Sequence, residues 1–225
     1  MTLVKNVDLF CLEITCLNTF SYLNDALFEQ ITETLTTRGY CVLTDFLNPE
    51  LTASLQRRVM NLDDDDFKHA GIGREHGFQV ENTIRTDETR WLSDQHPVDA
   101  MFLQYMSEFK LALNRHLFLG LFDYECHYAH YAPGAFYKKH LDAFKGEANR
   151  VLSTVMYFNK DWQQDDGGQL LIYHPESGDV IESINPEYGT FVVFMSEEFP
   201  HQVVKSKRDR YSITGWFRID RPLLR

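Results

Sequence analysis

The chain lacks any run of about 18 apolar residues, so no stretch of it reads as a membrane-crossing helix. Its four cysteines, Cys11, Cys16, Cys41 and Cys126, include no C-x-x-C pair. That scatter excludes the common zinc and redox motifs and suits a reduced cytoplasm better than a disulfide scaffold. Positive charge is also scarce, with 22 Lys and Arg against 33 Asp and Glu for a net charge of −11. At a sequence pI near 5.2 no basic stripe is available to neutralise phosphates, which excludes a nucleic-acid partner. Asp8 and Glu13 interrupt the first apolar stretch and argue against a secretory leader. Internal repeats, low-complexity tracts and linkers are missing too. The expectation is one cytoplasmic domain over residues 1–225, with no membrane partner.

What is present is a chain of 225 residues, 44% hydrophobic and 14% aromatic, enough for one well-filled core with at most an appended helical layer. Residues 1–20 show no clean period. Leu23, Leu27, Phe28, Ile31 and Leu35 form a helical stripe that Gly39 is placed to end. Residues 40–46 read as a buried strand. Asn48-Pro49 is a cap followed by proline, opening a helix with Leu51, Leu55 and Val59 on one side. The acidic run 63–66 reads as a solvated surface, and residues 71–90 as a long polar loop of the kind that often serves function. A further helix spans about 98–117, carried by Met101, Phe102, Tyr105, Phe109, Leu113 and Leu117.

After Gly120 the texture changes to short strand-like runs at 125–131, 151–159, 169–173, 190–195, 201–204 and 211–218. Turn signals separate them, among them Asp165-Asp166-Gly167-Gly168 and Glu176-Ser177-Gly178-Asp179. Helices followed by many short strands suggest an α+β chain: a jelly roll over about 121–220, with helical support over about 20–120 packed on one side.

The most informative stretch is Tyr131-Ala132-Pro133-Gly134-Ala135-Phe136-Tyr137-Lys138-Lys139-His140-Leu141-Asp142. His140 and Asp142 are two apart, which on a strand puts both on one face. Imidazole and carboxylate together make two thirds of the facial 2-His-1-carboxylate site that holds non-haem Fe(II) with positions left open. His201, in Phe199-Pro200-His201-Gln202-Val203, is the best source of the missing histidine. Nine positions later Arg210 adjoins an apolar, β-branched run, where a buried guanidinium needs an anion. A dicarboxylate cosubstrate would provide one. The other histidines read as structural. His127 and His130 are three apart and would face opposite ways, His116 ends a helix, His174 lies in a turn, and His69, His76 and His96 lie in polar segments.

The pattern Y-x-x-G-x-x-Y-x-x-H-x-D, with a later histidine and an arginine nine beyond it, resembles the Fe(II)/2-oxoglutarate dioxygenases, and within them the prolyl hydroxylase domain branch. The resemblance covers about residues 38–220 and implies a double-stranded β-helix fold. It implies Fe(II), 2-oxoglutarate and O2 as cofactors, with ascorbate as a candidate reductant. His140, Asp142 and His201 would hold the metal, and Arg210 would pair with the distal carboxylate of 2-oxoglutarate. By the same resemblance Tyr157 and Thr214 sit beside that carboxylate, Leu170 and Val203 line the pocket, and Tyr131 reaches toward the keto-acid end. The segment Arg85-Thr86-Asp87-Glu88-Thr89-Arg90-Trp91 is similar to the end of a substrate-covering loop, with glycine in the relatives where Thr86 stands. Asp87 would there pair with Arg150. Gly71-Ile72-Gly73-Arg74 would lie in the loop proper.

The reaction implied is hydroxylation of a prolyl residue in a protein or peptide, with release of succinate and CO2. Asp142 itself favours hydroxylation over halogenation, because the halogenating relatives lack that carboxylate. The alternatives are the same chemistry on a free amino acid or other small molecule, or a non-catalytic jelly-roll module binding metal or sugar. Nucleic-acid demethylation is disfavoured by Trp216, which stands where those relatives carry a second arginine.

Overall fold

The computed structural model describes residues 25–70, 83–143 and 149–220. Helix α1 (Asp25–Arg38) stops where Gly39, at φ +76°, turns its N–H back to the Leu35 carbonyl at 3.0 Å. Strand β1 (Tyr40–Leu43) follows directly. Helix α2 (Pro49–Met60) opens as expected, with the Asn48 side chain accepting from the Leu51 N–H at 2.7 Å and proline in the first turn. Helix α3 (Pro97–Leu117) buries Phe102, Tyr105, Phe109 and Leu113 at helical spacing, while Met101 is exposed.

The strands are β2 (Lys68–His69), β3 (Glu88–Trp91), β4 (Leu121–Tyr131), β5 (Tyr137–His140), β6 (Arg150–Tyr157), β7 (Leu170–Tyr173), β8 (Val180–Ile184), β9 (Phe191–Met195), β10 (His201–Val203) and β11 (Arg210–Ile219). They form two sheets, β1-β9-β6-β11-β4-β3-β2 and β5-β10-β7-β8, with all ladders antiparallel. The jelly roll with helices on one side, expected from the sequence, is the fold observed.

Alternation along the central strands sorts the side chains into two cores. Leu152 and Met156 of β6, Ile213 and Phe217 of β11, and Phe191 and Val193 of β9 join the helices in one apolar cluster. Their neighbours Val155, Tyr157, Val192 and Phe194 turn the other way, into a second cluster with Leu170, Ile172 and Val203 of the small sheet. Arg210, Ser212 and Thr214 share that inner face of β11, so the polar exceptions lie between the sheets.

Two readings need correction. Residues 71–90 are not one continuous loop: 88–91 form β3, which pairs with β4 through Glu88 opposite His130 and Trp91 opposite His127. The mostly polar Glu88–Trp91 carries no strong alternation, so pairing rather than sequence pattern defines it as a strand. Asp142 is likewise not on a strand. β5 ends at His140, and the chain bends before the carboxylate. Of the acidic run, Asp63, Asp65 and Asp66 are exposed as expected, and Asp66 lies 3.6 Å from Arg90. Gly71-Ile72-Gly73-Arg74 and His76 lie outside the described residues.

Candidate metal centre and anion pocket

Strand pairing brings the two histidines together. His201 on β10 is the register partner of His140 on β5, and the bend after β5 carries Asp142 back between them. Asp142 Oδ1 is 3.5 Å from His140 Nε2, and Oδ2 is 3.6 Å from His201 Nε2. One ligand atom from each of the three lies within 4.8 Å of the others, and among the described residues no other cluster of this kind occurs. Each imidazole is turned by its far nitrogen. His140 Nδ1 is 2.7 Å from the Lys138 carbonyl and His201 Nδ1 is 3.1 Å from the Phe199 carbonyl. A carbonyl can only accept, so both Nδ1 atoms carry a proton, which leaves each Nε2 as the atom that faces the carboxylate and would bind a metal. Tyr137 stacks on His140 at 3.5 Å, and Phe194 meets His201 edge-on at 4.7 Å.

Electrostatics suit a cation. Burial pushes His201 down to about 4, helped by His140 and opposed by Asp142, so the ring is neutral at pH 7. Burial alone would raise the Asp142 carboxyl. Protonation of His201 first, then of His140, together with a hydrogen bond from Ser153, outweighs it, so the carboxyl is held well below the usual range and loses its proton before either ring does. One carboxylate and two imidazole nitrogens brought together in this way are the donor set for a ferrous ion with open positions.

Arg210, expected from the sequence to meet an anion, is buried on the inner face of β11. Arg210, only 1% exposed, gives its Nε–H to the Gly168 carbonyl at 2.9 Å, while its Nη2 has no hydrogen-bond partner. Among the described residues no carboxylate pairs with it. The Tyr157 hydroxyl and the Ser212 hydroxyl are likewise buried without partners. The rings of Tyr131 and Tyr157 flank the guanidinium at 4.7 and 4.9 Å, so Tyr131 lies beside Arg210, a correction to the expectation that it reaches toward the keto-acid end. Burial raises both phenols, against the neighbouring guanidinium, so both remain proton donors at neutral pH. Leu170 and Val203 are register partners on β7 and β10 and belong to the same inner cluster as Tyr131 and Tyr157. Thr214 lies opposite Val155, two residues before Tyr157 on the same strand. Orphaned donors around a buried cation fit one carboxylate of a diacid.

The expected Asp87–Arg150 pair is replaced. Arg85 holds Asp87 with two hydrogen bonds, of 2.8 and 2.6 Å, and Arg150 donates to Glu125 at 3.0 and 2.8 Å. Arg85 and Asp87 are two residues apart in extended backbone and share a face, which puts the nearer cation within reach. Arg150 also covers the Trp216 ring at 3.6 Å, and Trp91 meets His127 edge-on at 5.3 Å. Arg85 in turn covers Tyr137 at 4.3 Å, one ring away from His140. His127 and His130 face opposite sides as expected, the first toward Trp216 and the second stacked on Tyr211. His174 accepts from the Glu176 and Ser177 N–H groups in its turn. Sequence reading missed Ser212, two after Arg210 and therefore on its face, and Ser153, which donates to Asp142 at 2.6 Å.

Comparison with known proteins agrees with this geometry. Residues 126–218 match the family model described as 2OG-Fe(II) oxygenase superfamily. The structure is similar to a prolyl-4-hydroxylase of Pseudomonas putida, at 36% identity and a TM-score of 0.77, covering 86% of this chain and 100% of that one. It is also similar to a prolyl hydroxylase of Trichoplax adhaerens solved in complex with a hypoxia inducible factor oxygen degradation domain peptide fragment, at 26% identity and a TM-score of 0.76, covering 86% of this chain and 89% of that one. Egl nine homolog 1 of Homo sapiens is 26% identical over 197 residues, 84% of this chain and 46% of the relative. The chain thus spans about half the length of the curated relatives it matches.

Proposed function

Because the chain belongs to the prolyl hydroxylase branch of the 2OG-Fe(II) oxygenase superfamily and is an enzyme of that class, we propose that it hydroxylates a prolyl residue in a protein or peptide. Its cofactors are Fe(II), 2-oxoglutarate and O2. Iron and 2-oxoglutarate, when bound, supply oxidative decarboxylation that releases succinate and CO2 and delivers one oxygen atom of O2 to a substrate C–H bond. The chain's own contribution is position, charge and exclusion of water.

His140, Asp142 and His201 hold the metal through two Nε2 atoms and a carboxylate oxygen. Their single negative charge would leave a bound ion electrophilic and open to the cosubstrate. Arg210 takes the distal carboxylate of 2-oxoglutarate with its unpaired Nη2, and Tyr157 donates its hydroxyl to the same group. Tyr131 and Thr214 flank that carboxylate, while Leu170 and Val203 keep the methylene chain of the cosubstrate dry. Trp91 is exposed on β3 where it can meet the substrate, while the buried Arg85–Asp87 pair and Arg150 back the substrate-covering segment, with Arg85 reaching the centre through Tyr137. Support for a peptide substrate comes from the Trichoplax adhaerens relative, solved with a peptide fragment bound.

The observation that carries this reading is the unpartnered, buried Nη2 of Arg210 in a chain that also holds the three-residue cluster, since a binding module for metal alone has no use for it. The test is conversion of 2-oxoglutarate to succinate by the purified, iron-loaded protein. Asp142→Ala should abolish conversion, and unchanged turnover in that variant would exclude the site. Mass spectrometry of proteomes with and without the enzyme should find a proline heavier by one oxygen atom. Turnover confined to free proline would overturn the peptide part of the proposal and leave the chemistry.

A further inference from the structure

Strand β6 presents three inner-face residues between the sheets, Ser153, Val155 and Tyr157. Tyr157 marks the Arg210 end, and Ser153 marks the metal end. Ser153 is 1% exposed, and its Oγ is 2.6 Å from Asp142 Oδ2 and 2.8 Å from the Oγ of Ser196, itself fully buried just past β9. A hydroxyl has one hydrogen to give, and an ionised carboxylate can only accept. Ser153 therefore spends its proton on Asp142, and the bond between the serines must run from Ser196 to Ser153. The result is a one-way chain, Ser196 to Ser153 to Asp142, in which each donor makes the next more polar. The 2.6 Å separation is that of a hydroxyl on a charged oxygen.

Resting on the iron reading above, we infer that Ser153, polarised by Ser196, is a positioning residue that occupies Asp142 Oδ2 and confines the carboxylate to binding iron through Oδ1. The reason such a device matters is the count of positions. A carboxylate that chelates through both oxygens fills a fourth position and leaves two, one short of what a bidentate keto acid and O2 require. Oδ1 is 3.5 Å from His140 Nε2 and Oδ2 is 3.6 Å from His201 Nε2, so both oxygens face the centre and the hydrogen bond from Ser153 is what distinguishes them. The anchoring strand is central in the large sheet, between β9 and β11, so the hydroxyl is fixed by the most constrained part of the fold.

The test is anaerobic titration of the full chain with Co(II), whose visible band intensity reports coordination number, alongside Fe(II) affinity. Loss of a partner behind a metal ligand weakens binding about 10–100-fold. Ser153→Ala should therefore bind metal at least about tenfold more weakly and change the Co(II) band. Ser153→Thr, which keeps the hydroxyl, should restore both, and Ser196→Ala should give a smaller loss than Ser153→Ala. Thermal unfolding of each metal-free variant checks that it is folded. If Ser153→Ala does not fold, Ser196→Ala and Ser153→Thr decide by the same two readouts. Wild-type affinity and an unchanged band in Ser153→Ala, or in Ser196→Ala should that variant alone be measurable, would overturn the inference while leaving the iron site intact. A wild-type chain that binds no better than Asp142→Ala would overturn the iron reading itself, and this inference with it.

Discussion

His140 and His201 sit opposite each other across the β5–β10 ladder, with ring centroids 4.2 Å apart and both Nδ1 atoms turned away onto backbone carbonyls. Two inward lone pairs beside a carboxylate gain little from each other and much from a cation. Chelation should therefore lower the melting temperature, and Fe(II), Mn(II) or Co(II) should restore it. A ligand at a hundred times its Kd adds about 2.7 kcal/mol, which is several degrees for a chain of this size. His140→Ala and His201→Ala should each remove the gain. A wild-type melting curve indifferent to metal would refute the site.

Arg210 separates stability from function. Its guanidinium is buried with Nη2 unpaired, and that costs the folded state until an anion arrives. Arg210→Met should leave the protein without 2-oxoglutarate no less stable, while weakening 2-oxoglutarate binding by about 2–5 kcal/mol. Metal binding should be kept. The measurements are a urea midpoint without cosubstrate, a KM for 2-oxoglutarate and a metal titration. A loss of metal together with cosubstrate would mean that the arginine supports the metal centre rather than the diacid.

Most of the site was legible because its chemistry demands rare residue types at fixed offsets. His140, Asp142, His201 and Arg210 could be read in one pass, and so could the long helices and the strands of the large sheet that are apolar throughout. The remainder escaped for physical reasons. β3 is mostly polar and β5 reads Tyr-Lys-Lys-His, so neither has the alternation that marks a half-buried strand. β8 reads Val-Ile-Glu-Ser-Ile and is largely open to solvent, so its apolar pattern is weak. Ser153 and Ser212 each share a strand with a threonine among apolar residues, and nothing local distinguishes a serine aimed at a ligand from one that caps a neighbour. Asp87 found Arg85 rather than Arg150 because both share one short extended segment, and pairings of that kind depend on reach rather than on motif.

His127 should leave a signature in acid. It lies between Trp91 and Trp216, fully buried, and burial first, then Arg85, pushes it from 6.5 down to about 4. Between these values the unfolded chain binds a proton that the folded chain refuses. Stability is thus fully present above about pH 6.5 and falls as pH drops, by up to about 3 kcal/mol near pH 4. His127→Asn, which can still donate toward the Tyr128 carbonyl, should remove that part of the slope. His201 titrates in both proteins and cancels in the difference. The check is the difference in unfolding free energy between wild type and variant at pH 7.5, 6 and 5. A difference constant over that range would mean that the ring is not held neutral.

Arg85 and Asp87 decide whether the rim is built or merely charged. Exposed ion pairs are worth about 0–1 kcal/mol, whereas breaking a buried pair from one side costs about 3–5 kcal/mol. Asp87 is 1% exposed and Arg85 lies over Tyr137, so the second case applies. Arg85→Met should destabilise by about 3 kcal/mol or more, because it leaves a carboxylate buried among rings. Arg85→Met with Asp87→Leu should cost less than the sum of the two single changes, with a coupling above about 1 kcal/mol. Since Tyr137 stacks on His140, the Arg85 variant should also weaken metal binding, which Asp87→Asn should do less. A coupling near zero in the double-mutant cycle would reduce the pair to surface charge and detach the rim from the metal centre.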